Sequence, residues 1–123
     1  MGVTLIKISA VYFAIGVAIG YYMSSAHDYA LTPVHVHINL LGWTALTLAG
    51  ILYHLFPTLA KSLSGKIHFW LHNIGLPLMM IGLFFVVALE KEALLPLVAT
   101  GATVTSLGIF SFVFNVLKNL KAS

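Results

Sequence analysis

The sequence predicts an all-α membrane protein, in which 123 residues form a single domain built as a four-transmembrane-helix bundle. Three observations support this fold class: 60% of the residues are hydrophobic, only 7% are charged, and the mean hydropathy is +1.03. Soluble domains rarely reach such values. Because a lipid-spanning helix needs about 20 apolar residues, the chain has room for about four spans and their short connections. These residues leave no room for a separate soluble catalytic domain.

Four long apolar runs define the predicted helices, at about residues 4–23, 33–56, 67–89 and 94–117. Helices are favoured over strands because backbone polar groups in lipid must pair within the segment. Pro33 fits the first turn of the second helix. A cleaved signal peptide is an alternative interpretation of the first run, which its length disfavours. The runs are separated by turn and stop residues: Ser24, Ser25 and Asp28, then Pro57, Lys61, Ser64 and Gly65, and finally Glu90, Lys91 and Glu92.

The charged residues predict how the helices are oriented in the membrane. One side of a four-span bundle would carry most of the lysines, namely Lys7, Lys61, Lys66, Lys118 and Lys121, whereas the other would carry Asp28, Glu90 and Glu92 with only Lys91. By the positive-inside rule, both termini are expected to be cytoplasmic, in a multi-pass protein of the cell inner membrane. The chain contains no arginine and its lysines are scattered, which argues against nucleic-acid binding. The lipid bilayer is the expected partner.

Histidine is the residue type that points to chemistry. The chain has six histidines and no cysteine, which excludes disulfides, iron–sulfur clusters and covalent haem attachment through Cys-x-x-Cys-His. An ionisable side chain in lipid is costly and normally faces the protein interior or a cofactor. His35 and His37 lie near the start of the second predicted helix and point about 200° apart, so both cannot bind one ion. Each either serves a different site, with haem iron as a natural target, or forms hydrogen bonds near the headgroups.

Two segments, HDYALTPVHVHINLLGWTALTLAGILYHLFP and LSGKIHFWLHNIGLPLMM, resemble subunit I of the haem–copper oxidases, the superfamily of cytochrome c oxidase and nitric oxide reductase. The similarity covers about residues 26–80 and corresponds to the ninth-to-eleventh helix region of that subunit. It implies that His35 and His37 are haem ligands, the first to a high-spin and the second to a low-spin haem. His27 and Asp28 correspond to residues near the haem propionates and a metal site. Trp43, in the aromatic-rich middle of the helix, is expected to pack against the cofactor.

The chain also departs from that family. Subunit I has about twelve helices in three similar arcs, whereas this chain supplies one arc resembling helices nine to twelve. The family's copper ligands and the tyrosine linked to one of them have no counterpart here, so complete oxygen reduction is not expected. Three copies would rebuild three arcs. We therefore expect a homotrimer with haem b between neighbours, His35 of one copy facing His37 of the next.

A second group of histidines lies near the opposite end of the helices. His68 and His72 are four positions apart on one helix face, and His54 ends the preceding span one short loop away. These three side chains would form a zinc or copper site if they met around one ion. Interfacial histidines without a metal are the alternative.

Two classes of function follow from the sequence. The first is a haem b-binding membrane protein that transfers electrons, with a redox partner, or binds a diatomic gas such as NO or O2. The second is a non-haem protein, either a copper- or zinc-binding protein or a structural or assembly component of a respiratory complex. The sequence contains no recognisable nucleophile, carboxylate pair or phosphate loop, so it does not establish whether the protein is an enzyme.

Overall fold

The computed structural model describes residues 1–122, and within them it contains only helices and their connections. Four of the described helices are long and apolar enough to cross a membrane, so the all-α, four-helix part of the predicted fold class is confirmed. The long helices are α1 (Gly2–Ala26), α2 (Thr32–Leu55), α4 (Leu63–Leu89) and α5 (Leu95–Asn119). The short helix α3 (Pro57–Lys61) and a 3₁₀ turn (Glu92–Leu94) lie in the two connections beside α4.

The ends of the helices follow local capping chemistry. The Ser62 side chain caps α4 by accepting a hydrogen bond of 3.0 Å from the Gly65 N–H. This cap explains why α4 begins at Leu63, before the predicted start at residue 67, since Ser64 and Gly65 lie in its first turn rather than in a loop. α1 and α4 each end at a residue in the left-handed conformation, His27 (φ 50°) and Glu90 (φ 54°).

The four long helices form a row in chain order. α1 packs against α2, α2 packs against α4, and α4 packs against α5. Within the described residues, α1 and α5 do not pack together along their length. Their alternating direction brings residues near both chain termini and α3 to one end, which we call the terminal end. The connections containing Asp28 and Glu90 lie at the other, which we call the loop end. The row leaves α1 and α5 each with a neighbour on one side.

Two clusters of buried apolar side chains join the helices. The cluster near the terminal end consists of Leu5, Leu46, Ala49, Tyr53 and Leu59. The second cluster lies towards the loop end and consists of Val34, Ile38, Leu76, Met79 and Met80. Met79 and Met80 therefore lie in the packed core.

Glycines allow the closest helix contacts. At Gly2, in α1, a Cβ would lie 2.6 Å from the Gly50 carbonyl oxygen of α2. Between α4 and α5, a Cβ at Gly101 would lie 2.7 Å from Met79 Cα and 2.8 Å from the Gly75 carbonyl oxygen. Because these neighbours are backbone atoms, they cannot move aside as a flexible side chain can. In lipid, such close approach supplies much of the attraction between helices.

We expect Gly101→Val to push α4 and α5 apart and to lower the stability of the protein by about 1–3 kcal/mol, a typical cost of overpacking. The measurement is thermal unfolding of the detergent-solubilised protein. Ala99→Val is the matched control, because Ala99 lies on the exposed side of the same helix. Equal melting temperatures for the two variants would contradict the expected effect.

The middle of α2 is not a regular α-helix. Residues Ile38–Thr44 form a π-helix, whose last i→i−5 hydrogen bond runs from the Ala45 N–H to the Leu40 carbonyl. Val34 and Tyr53, on either side of it, are both buried although they are nineteen positions apart, about 5.3 turns of an α-helix. The π-helix takes up one extra residue and reduces this to about 5.0 turns. The π-helical segment therefore puts both halves of α2 onto one packing face.

Candidate functional site

His35 lies between α2 and α1. Its Nδ1 is 2.8 Å from the Gly16 carbonyl oxygen of α1. Since a carbonyl only accepts hydrogen bonds, Nδ1 carries the proton and donates it, and in the neutral ring Nε2 keeps its lone pair. The ring lies against Gly20, where a Cβ would approach His35 Cε1 to 2.8 Å. A glycine here leaves room for the imidazole.

Asn39, one turn further along α2, lies beside the same ring. Its Nδ2 is 3.3 Å from His35 Nδ1 and 3.4 Å from Nε2, longer than a good hydrogen bond. The same amide packs over Gly16. Asn39 was not predicted as a site residue, although it is a polar side chain four positions after a histidine in an apolar helix.

His37 is held in the same way within α2 itself. Its Nδ1 is 2.7 Å from the Pro33 carbonyl oxygen, in an exposed hydrogen bond. Pro33 is the acceptor four positions earlier, so the ring lies along its own helix instead of against α1. As in His35, the carbonyl can only accept, so Nδ1 of His37 carries the proton and Nε2 keeps its lone pair.

The arrangement of both rings suits metal ligation. Histidines that bind metals almost always donate their other ring N–H to a carbonyl, carboxylate or water, which fixes the tautomer and orientation of the ring. In His35 and His37 that role falls to Nδ1, and Nε2 is the ring nitrogen that keeps its lone pair, with Asn39 Nδ2 lying 3.4 Å from Nε2 of His35.

Trp43 of α2 and the residues His27 and Asp28 of the first connection were also predicted as site residues. Trp43 stacks on Phe13 of α1, with ring centroids 4.4 Å apart and planes at 15°. It therefore contributes an aromatic pair to the same α1–α2 contact that holds His35. His27 and Asp28 are exposed at the loop end. Asp28 forms a local turn by accepting a hydrogen bond of 3.1 Å from the Ala30 N–H, and neither residue makes a described contact with His35 or His37.

A second polar site lies inside the protein, between α2 and α4. The Tyr53 hydroxyl is 2.7 Å from His68 Nδ1, His68 Nε2 is 3.1 Å from His72 Nδ1, and His72 Nε2 is 2.9 Å from the Leu41 carbonyl oxygen. We call these three side chains the Tyr–His–His chain. Tyr53 and His68 are 2% exposed and His72 is 1% exposed.

The protons of the Tyr–His–His chain have a single arrangement when all three groups are neutral. The Leu41 carbonyl accepts, so His72 Nε2 donates and His72 Nδ1 must accept. His68 Nε2 therefore donates to His72, and His68 Nδ1 accepts from the Tyr53 hydroxyl. Every polar atom along this path has a hydrogen-bond partner. The donors all point the same way, from the Tyr53 hydroxyl towards the Leu41 carbonyl.

The structure brings together two of the three histidines for which a zinc or copper site was predicted. His68 and His72 are neighbours on α4, whereas His54 is exposed on α2. The position beside His68 is taken by Tyr53, the residue before His54. Among residues 1–122, no group of three or more His, Asp or Glu side chains is placed to hold a metal ion.

No protein-family model, no curated protein and no solved structure matches this chain.

Proposed function

We propose that the protein binds haem b in the membrane through His35 and His37 and acts in electron transfer or in binding a diatomic gas. The observation that carries this proposal is the shared anchoring of the two rings. Each Nδ1 donates to a backbone carbonyl, Gly16 for His35 and Pro33 for His37, and each Nε2 keeps the lone pair that would bind iron, with the Asn39 amide 3.4 Å from that of His35. The resemblance to oxidase subunit I that the sequence suggests points to the same assignment.

The neighbouring residues have definite tasks in this proposal. The Gly16 carbonyl holds the His35 ring in one orientation and makes Nε2 a stronger donor to iron. Gly20 provides the space for that ring, and the stacked pair of Phe13 and Trp43 offers an aromatic surface to a flat apolar cofactor. When bound, haem supplies one-electron redox chemistry or an iron atom to which a gas binds. His27 and Asp28, exposed at the loop end, are candidates for contacts with propionates.

We further propose that the haem lies between copies of the chain in a homotrimer. Two observations support a shared site: the row of helices leaves α1 and α5 each with one free side, and the His37 hydrogen bond is exposed whereas His35 is held against α1. The distribution of lysines favours an inner-membrane protein with cytoplasmic termini.

The experiment is a visible spectrum of the purified protein in detergent, together with elemental analysis. We expect a Soret band, and sharp α-bands on reduction. α-Bands that carbon monoxide does not move would indicate two axial histidines, whereas a shift would indicate an open coordination position and gas binding. A protein that is purified and reconstituted with haemin yet has no Soret band would refute the haem proposal. A flat spectrum with stoichiometric copper or zinc would instead favour the non-haem alternative.

A further inference from the structure

The π-helical segment of α2 creates a polar group that the helix does not satisfy. Its last i→i−5 bond ends at the Leu40 carbonyl, and α-helical geometry resumes at Ala45. Where i→i−4 bonding resumes after i→i−5 bonds, one carbonyl is passed over, here that of Leu41, the next in line. In a membrane-spanning helix such a carbonyl requires another donor, because lipid provides none.

The Tyr–His–His chain supplies that donor. His72 Nε2 is 2.9 Å from the Leu41 oxygen, and the remaining bonds of the chain orient His72 for this contact. The carbonyl can only accept, so the chain cannot reverse its direction without leaving the carbonyl unsatisfied. This property favours a fixed support over a path that conducts protons. We call the hydrogen-bonded side chains of Tyr53, His68 and His72, which hold the Leu41 carbonyl, the clamp.

We propose that Tyr53, His68 and His72 are positioning residues that stabilise the π-helical segment of α2 and thereby set the direction in which His35 and His37 face. If residues 38–44 became regular α-helix with no residue removed, the part of α2 before them would turn by about 100° relative to the part after them. Such a turn would move His35 away from the Gly16 carbonyl. The clamp itself follows from the geometry of α2 and α4, and its effect on a metal ligand rests on the proposed haem function.

The first test removes the clamp without leaving other groups unpaired. The triple variant Tyr53→Phe/His68→Leu/His72→Leu takes away all three polar side chains, so the Leu41 carbonyl is the one group of this path left without a partner. We expect hydrogen–deuterium exchange of the amides in residues 38–45 to rise by about tenfold or more. The matched control is His54→Leu, an exposed histidine on the same helix.

The second test removes the need for the clamp. Deleting Leu40, whose side chain is exposed, shortens α2 by one residue, so a regular α-helix would keep Val34 and Tyr53 on one face. In the deletion variant, the triple substitution is expected to change exchange and melting temperature little. If the triple variant does not fold by itself, the combined variant is still expected to fold. The proposal is overturned if the triple substitution leaves exchange unchanged, or if the deletion background does not relieve its effect.

A third test distinguishes positioning from general stability. His72→Gln keeps an N–H donor for the Leu41 carbonyl, whereas His72→Leu does not. We expect the Soret position and the electron paramagnetic resonance signal of haem to remain native in His72→Gln and to change in His72→Leu, although neither residue would touch the iron. Native haem spectra in both variants would overturn the positioning role. If the wild-type protein binds no haem, the proposed function fails, while the exchange measurements still decide whether the clamp exists.

Discussion

Replacing His35 and His37 together by alanine is expected to abolish haem retention and to leave the helix content unchanged. The loss should exceed about a hundredfold in affinity, because even removal of an outer partner of a metal-bound histidine costs about 10–100-fold. The fold should tolerate the change because His37 bonds only within its own helix and His35 makes a single strong contact, to Gly16. The measurements are the Soret absorbance per protein and the far-ultraviolet circular dichroism.

The single variants separate the possible arrangements of the haem. If one haem is held by both histidines from neighbouring copies, either substitution leaves one ligand, and the reduced protein gains a carbon monoxide shift. If each histidine holds its own haem, either substitution removes about half of the Soret absorbance per protein without creating a new open position. His54→Ala is the control, since His54 is an exposed histidine at the opposite end of the same helix. Full haem content in the double variant would exclude both histidines as ligands.

The four long helices could be predicted from the sequence because they coincide with its four long apolar runs. Any segment that crosses lipid must satisfy its backbone internally, so a long apolar run is sufficient evidence for a helix. The start of α4 was harder to predict from the sequence. Ser64 and Gly65 resemble turn residues, and only the hydrogen bond between Ser62 and the Gly65 N–H identifies them as the first turn of a helix.

The π-helical segment was not predicted, because the pattern that marks it is one of burial and appears only in the structure. The buried positions Val34, Ile38, Gly42 and Leu46 recur every four residues, whereas an α-helix needs a mixture of three- and four-residue steps. The one extra residue in the π-helical segment also determines which side chain of α2 enters the second polar site. Adjacent helical residues point about 100° apart, and Tyr53 rather than His54 faces His68. The pairing of His68 with His72 followed from their spacing, but the partner on another helix depended on tertiary packing.

The second large effect is expected at Asn115 of α5, which is 0% exposed and holds the α3 connection. Its Nδ2 donates to the Leu59 carbonyl oxygen at 2.9 Å, and its Oδ1 accepts from Ser62 Oγ at 2.9 Å. Asn115→Leu would leave the Leu59 carbonyl and the Ser62 hydroxyl with fewer partners in a buried place. We expect a loss of about 2–3 kcal/mol in stability. The loss of stability should be concentrated where α3 joins α4, because Asn115 bonds to Leu59 in α3 and to Ser62 at the start of α4.

Limited trypsin digestion in detergent measures this local effect, because Lys61 at the end of α3 is exposed and becomes cleavable when the connection opens. If opening and closing are faster than cleavage, the rate reports the population of the open form and should rise by about thirtyfold or more. Asn119→Ala is the matched control, since Asn119 donates one hydrogen bond of 2.8 Å to Asn115 and none to α3. Equal rates in the two variants would mean that the bonds from Asn115 to Leu59 and Ser62 do not hold α3 in place. A faster rate in Asn115→Leu alone would identify Asn115 as the residue that ties the connection to the helices.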